Sequence, residues 1–63
     1  MKINFDQTND VVRIVFQKGK YDISKEVDTG VILDFTKDSK IMAIEILDAS
    51  EKLSKKSIQT LCQ

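Results

Sequence analysis

Residues Val31 to Leu47 hold two strongly β-forming runs, Val31-Ile32-Leu33-Asp34-Phe35-Thr36 and Ile41-Met42-Ala43-Ile44-Glu45-Ile46-Leu47, with the polar turn Lys37-Asp38-Ser39-Lys40 between them. Branched and aromatic residues broken by a four-residue polar loop specify an antiparallel hairpin. Placing Thr36 opposite Ile41 sets Phe35 against Met42, Leu33 against Ile44 and Val31 against Ile46, so six apolar side chains share one face. The other face holds Ile32, Asp34, Thr36, Ile41, Ala43, Glu45 and Leu47. A sheet wetted on one side alternates cleanly between apolar and polar residues, and this hairpin is apolar on both sides. That second face therefore calls for a cover.

The rest of the chain fits around this hairpin. Ile3 and Phe5 alternate with polar residues, Asp6-Gln7-Thr8-Asn9-Asp10 is a cluster of turn formers, and Val11 to Gln17 forms a second strand. Matching apolar faces pairs Phe5 with Val12 and Ile3 with Ile14. Lys18-Gly19-Lys20 is a break, and Tyr21, Ile23 and Val27 share the parity of a charged edge strand that ends at the turn Asp28-Thr29-Gly30. Asp48 and Glu51 have the spacing of a capping box, which opens a C-terminal helix over about residues 49–62. The expected fold is α+β: one domain over residues 1–63, a small antiparallel sheet of about four to five strands with two hairpins over 2–47, then one helix.

Composition removes several functions. Ten basic and ten acidic residues give a net charge of zero, which argues against binding nucleic acid by a general field. Histidine is absent and Cys62 is the single cysteine, so the expectation is no cofactor, no zinc site, no disulfide framework and no histidine-based catalysis. No apolar run reaches the roughly 18 residues of a membrane span, and the opening Met1-Lys2-Ile3-Asn4-Phe5 alternates, unlike a secretory leader, so a cytoplasmic setting is expected.

The candidate sites are few. Asp34 and Glu45 are diagonal neighbours that suit a shared proton, a glycosidase-like dyad or a hard metal ion. The alternative is a structural pair bonded to lysines, to backbone amides or to a partner chain. Asp6, Asn9 and Asp10 have calcium-ligating oxygens but not the spacing, glycine or closing glutamate of an EF-hand, which favours a plain Asx turn. Lys52, Lys55 and Lys56 form either a solvated helix face or a phosphate contact, and residues 49–63 carry +2 against −2 for the first 48. Cys62 is either an apolar filler or a redox handle.

Chains this short build small cores, and with disulfides and zinc unavailable, oligomerisation is the remaining support. The leading expectation is a non-catalytic protein-binding domain. It self-associates, as a two-fold dimer, through the face of Ile32, Ile41, Ala43 and Leu47. It also suits an antitoxin- or inhibitor-like partner of another small protein. The rival is a carboxylate-dependent enzyme or metal-binding protein centred on Asp34 and Glu45.

Five segments carry a family resemblance: the opening strand, the acidic turn from Asp6 to Asp10, the strand Val12-Arg13-Ile14, the stretch Glu26 to Asp34, and Ile44-Glu45-Ile46-Leu47-Asp48-Ala49-Ser50. In these the chain resembles the small prokaryotic proteins grouped as domain of unknown function 2283. Ala43 replaces the usual glycine, Asn9 stands where many members have alanine, and Leu53 to Gln63 match nothing specific. The resemblance implies a compact β-rich fold of prokaryotic or phage origin and supplies no chemistry.

Overall fold

A computed structural model describes residues 1–61; Cys62 and its two readings lie outside the described residues. Five strands, β1 (Lys2–Asp6), β2 (Val11–Val15), β3 (Tyr21–Asp28), β4 (Val31–Thr36) and β5 (Ile41–Leu47), precede two short helices, α1 (Ala49–Lys52) and α2 (Lys55–Leu61). The strands form one antiparallel sheet in the order β1-β2-β5-β4-β3. The chain is mostly β with C-terminal helices, as the sequence leads one to expect.

The β1–β2 hairpin has the register that apolar matching demands, with Phe5 opposite Val12 and Ile3 opposite Ile14. Its turn is an Asx turn, in which Asp6 accepts hydrogen bonds from the Asn9 amide and side chain at 3.2 and 2.8 Å. Both bonds favour the ionised carboxylate and lower its pKa, the side-chain bond most.

The β4–β5 hairpin departs from expectation near its turn and then returns to it. Ser39 adopts φ 64°, so the loop closes over three residues, with the Thr36 amide donating to the Lys40 carbonyl and the Ser39 amide to the Thr36 carbonyl. Phe35 consequently faces Ile41 instead of Met42, and a register shift between Asp34 and Phe35 absorbs the extra residue. Beyond it, Asp34 faces Ala43, Leu33 faces Ile44 and Val31 faces Ile46. The bulge restores the apolar alignment that a tighter turn would have slipped by one residue.

β5 also pairs with β2, setting Val12 against Ile46 and Ile14 against Ile44. One face of the sheet is then apolar across all five strands, from Ile3 and Phe5 through Ile14, Ile44 and Leu33 to Phe35 and Ile23, with Lys25 opposite Leu33 and Asp28 opposite Val31 at the strand end as its charged members. Lys25 lies over the Phe35 ring, its ammonium 5.9 Å from the centroid. The opposite face carries Val11, Arg13, Val15, Ser24, Glu26, Ile32, Asp34, Ala43, Glu45 and Leu47.

The C-terminal segment differs from a single helix over about 49–62. It breaks at Leu53 and Ser54 into two pieces. Asp48 does not cap α1 through its side chain; it takes a left-handed φ of 51°, and its carbonyl accepts from the Glu51 amide. The cap comes from the adjacent β1–β2 turn, because Val11 pairs with Leu47. Asp10, also left-handed at φ 57°, accepts the Ala49 amide on its carbonyl at 2.9 Å and the Ser50 amide and hydroxyl on its carboxylate, the hydroxyl at 2.6 Å. Ala49 is fully buried at this clasp. At a second anchor, Gly30 takes the left-handed φ of 71° that favours glycine, and its carbonyl accepts from the Leu47 amide.

Replacing Asp10 tests the clasp. Asp10→Ala should lower stability by about 1–2 kcal/mol in urea denaturation, the usual worth of a helix cap. Asp10→Asn, which tolerates left-handed φ and keeps an acceptor oxygen, should retain most of it. Equal midpoints for wild type and Asp10→Ala would show that the clasp contributes nothing.

Candidate functional site

The chemistry-bearing residues gather on the mixed face, around Arg13. Strand alternation places Arg13 on β2 directly opposite Glu45 on β5, and Asp34 on β4 is one pair further along, opposite Ala43. A single guanidinium nitrogen, Arg13 Nη1, donates to Glu45 Oε1 at 2.6 Å and to Asp34 Oδ2 at 2.9 Å. The other Asp34 oxygen accepts from the Ser24 hydroxyl at 2.6 Å, and Ser24 is within 2.7 Å of the Tyr21 hydroxyl. A polar chain of five residues thus crosses four adjacent strands.

Asp34 is 5% exposed although it carries a charge. Burial pushes its pKa up, but the Ser24 hydroxyl, the Arg13 hydrogen bond and the Arg13 charge together more than offset this, and the group titrates below the usual aspartate value. The pair expected from the sequence is therefore brought together, but a cation from the protein itself stands between the two carboxylates. Among the described residues no group of three or more metal-ligating side chains forms. Arg13, which completes the arrangement, carries no motif; only its strand parity, shared with neither Val12 nor Ile14, could have signalled that it faces Glu45.

Of the other expected interface residues, Ile32, Ala43 and Leu47 share this face, whereas the register shift between Asp34 and Phe35 turns Ile41 to the apolar face. Ala43 is fully buried by its own chain, Ile32 and Leu47 are half-buried, and Ile41 is exposed and paired with Phe35. Asp6, Asn9 and Asp10 do not converge on a common point: Asp6 binds Asn9, and Asp10 turns to Ser50. Lys52 reaches the Leu47 carbonyl, and no ion pair of Lys55 or Lys56 is found among the described residues.

Sequence reasoning missed one cluster altogether. The connection from β2 to β3, Phe16 to Lys20, must cross the ends of β5 and β4 because β3 lies at the far edge. It runs against the β4–β5 turn, with the Lys37 amide donating to the Lys20 carbonyl at 2.9 Å. A Cβ on Gly19 would fall 2.7 Å from Thr36 Cγ2, so the crossing needs glycine there. Lys18 and Lys20 thereby join Lys37 and Lys40 around one cleft of about 460 Å³. No helix of the described residues is long and apolar enough to cross a membrane.

The depressed Asp34 pKa has a definite consequence for pH. A carboxylate whose folded pKa lies below its unfolded value stabilises the protein above the unfolded pKa, near 3.9, and that contribution is lost as pH falls through the folded value. Denaturation midpoints should accordingly fall steeply below about pH 4, and Asp34→Asn should flatten that fall. Arg13→Met, which leaves Asp34 with Ser24 as its remaining side-chain partner, should cost about 1–3 kcal/mol at neutral pH. A variant as stable as wild type would show the network to be energetically neutral.

Comparison with known proteins places the chain by family and leaves its chemistry open. No solved structure matches it. It is 43% identical over 53 residues to a protein of Methanosarcina mazei named "Putative hypoxanthine phosphoribosyltransferase". That stretch is 84% of this chain and 42% of the relative, so the chain spans about two fifths of the length of the protein it matches. A family model described as a protein of unknown function, DUF2283, matches residues 2–50, which include all five strands and the Asp10–Ser50 clasp. The chain belongs to the DUF2283 family of proteins of unknown function.

Proposed function

We propose that this chain is a non-catalytic interaction module whose first partner is a second copy of itself, joined through the apolar face of the sheet. The observation that carries this reading is the lack of cover over that face. Among the described residues the fully buried apolar side chains are Val12, Ala43 and Ala49. Ile14, Leu33, Ile44 and Ile46, at the centre of a five-stranded sheet, all stay partly accessible, and Phe16 and Ile23 are 46% and 44% exposed. Helix α2 stands beside only one corner, where Ile58 and Gln59 line a cleft with Phe5.

The surface area agrees with this. The chain exposes 4766 Å², compared with about 4,100 Å² for a compact monomer of 7.2 kDa. Five strands at about 4.8 Å spacing and some 20 Å long give a face of roughly 500 Å² in plan, and more once side chains are contoured. Stable dimers bury about 800 Å² per partner at standard size and the smallest specific ones less. Two copies stacked face to face, with sheets about 10 Å apart, would form a sandwich with the apolar residues inside.

This reading moves the association surface from the face of Ile32, Ala43 and Leu47 to the face of Phe16 and Ile23, on which Ile41, opposite Phe35, also lies. The physical reason is charge. The mixed face would bring Arg13, Asp34, Glu45 and Glu26 into a dry interface, and the apolar face brings Lys25 and, at its margin, Asp28. A cytoplasmic setting is part of the proposal, in keeping with a single cysteine.

Light scattering during size exclusion tests it. The expected mass is twice 7.2 kDa, held across about a hundredfold in concentration, with dissociation when Phe16→Glu and Ile23→Glu are combined. Both side chains are already exposed in one copy, so these substitutions leave the monomer fold intact. A wild-type monomer throughout the range would overturn the proposal. Should that monomer instead copurify with a different small protein, the antitoxin- or inhibitor-like alternative takes its place.

A further inference from the structure

We infer that the lysine-lined cleft at one end of the sheet binds the phosphate chain of a small ligand. Lys18 and Lys20 come from the β2–β3 crossing and Lys37 and Lys40 from the β4–β5 turn, so the topology, and not sequence proximity, gathers four of the ten basic residues of the chain. Only Asp38 among the lining residues is acidic, and one of its oxygens is taken up by the Thr36 hydroxyl at 2.5 Å. Its approach to Lys40 is a loose 3.9 Å, and Lys18, Lys20 and Lys37 form no ion pair among the described residues. Four lysines against the single carboxylate of Asp38 leave the cleft with an excess of positive charge that favours an anion.

The backbone adds to this preference. The amides of Lys18 and Gly19 donate to no protein acceptor among the described residues, and Gly19 lets the chain approach Thr36 without an intervening side chain. Backbone amides beside lysines are the usual elements of a phosphate cradle. The cleft volume of about 460 Å³ lies within the roughly 300–1,000 Å³ of small-ligand sites. Nucleic acid fits less well: the lining holds no aromatic side chain for base stacking, and the basic patch does not extend along the sheet. The inference is independent of self-association, because it concerns the end of the sheet and not its faces.

Calorimetric titration with inorganic tripolyphosphate at about 50 mM salt tests it. Saturable binding at one site per chain is expected, weakened at least about tenfold by Lys18→Ala combined with Lys37→Ala. Lys55→Ala combined with Lys56→Ala removes the same charge from the far end of the molecule and should change affinity by less than about twofold. A nucleoside triphosphate run in parallel separates the two ligand sources: equal affinity assigns recognition to the phosphate chain alone, and tighter binding adds a contribution from the nucleoside. The inference is overturned by no saturable binding below about 1 mM, by equal losses in the two double variants, or by a single-stranded oligonucleotide binding where tripolyphosphate does not.

Discussion

The pairing of β2 with β5 is the contact on which the rest of the structure depends. Every other strand pair joins neighbours in sequence through a short turn and would gain little by forming alone. The β2–β5 seam joins Val11–Val15 to Ile41–Leu47, separated by some thirty residues of chain, and turns a hairpin and a three-stranded meander into one sheet. Closing so long a loop has an entropic cost that only the aligned apolar pairs Val12–Ile46 and Ile14–Ile44 can offset. Once made, the seam sets Arg13 beside Glu45 and Asp34, and brings the β1–β2 turn to the start of α1, where Asp10 holds Ala49 and Ser50.

The same pairing forces the connection between β2 and β3 to cross two strand ends. That crossing is short and charged, and it is pinned by the Lys37–Lys20 hydrogen bond and by the close approach of Gly19 to Thr36. A chain with no net charge is therefore unevenly charged along its strands. Lys2, Lys18, Lys20, Lys37 and Lys40 lie at one end with Asp38 among them, and Asp6, Asp10, Asp28 and Asp48 lie at the other beside Lys52. Net charge describes the far field of the molecule and says nothing about such local potentials.

The two faces divide the functional possibilities. The Arg13 network satisfies its own carboxylates: Asp34 is sealed, bonded on both oxygens and ionised, which is the arrangement of a structural pair and leaves no oxygen of Asp34 without a partner. The opposite face has apolar area without cover, and the cleft at the sheet end has four lysines against the single carboxylate of Asp38. The proposed self-association rests on the first of these features and the proposed anion binding on the second.

The sequence by itself determined the strands, the faces and two of the registers, because alternation has a period of two and a slip of one residue would send an entire apolar set to the wrong side. It located Phe5 opposite Val12 and Leu33 opposite Ile44, the Asx turn at Asp6, and the nearness of Asp34 to Glu45. Tertiary structure alone decided which strands adjoin across the seam, and with it everything that non-neighbouring residues do together. Asp10 in place of Asp48 as the cap of α1, Arg13 as the counter-ion of the acidic pair, and four lysines around one cleft all depend on strand order, to which local periodicity is blind. The tight turn at Ser39 and its compensating bulge were hidden for a related reason: Phe35 opposite Ile41 or Met42 is equally apolar, so the pattern could not choose, and backbone geometry did.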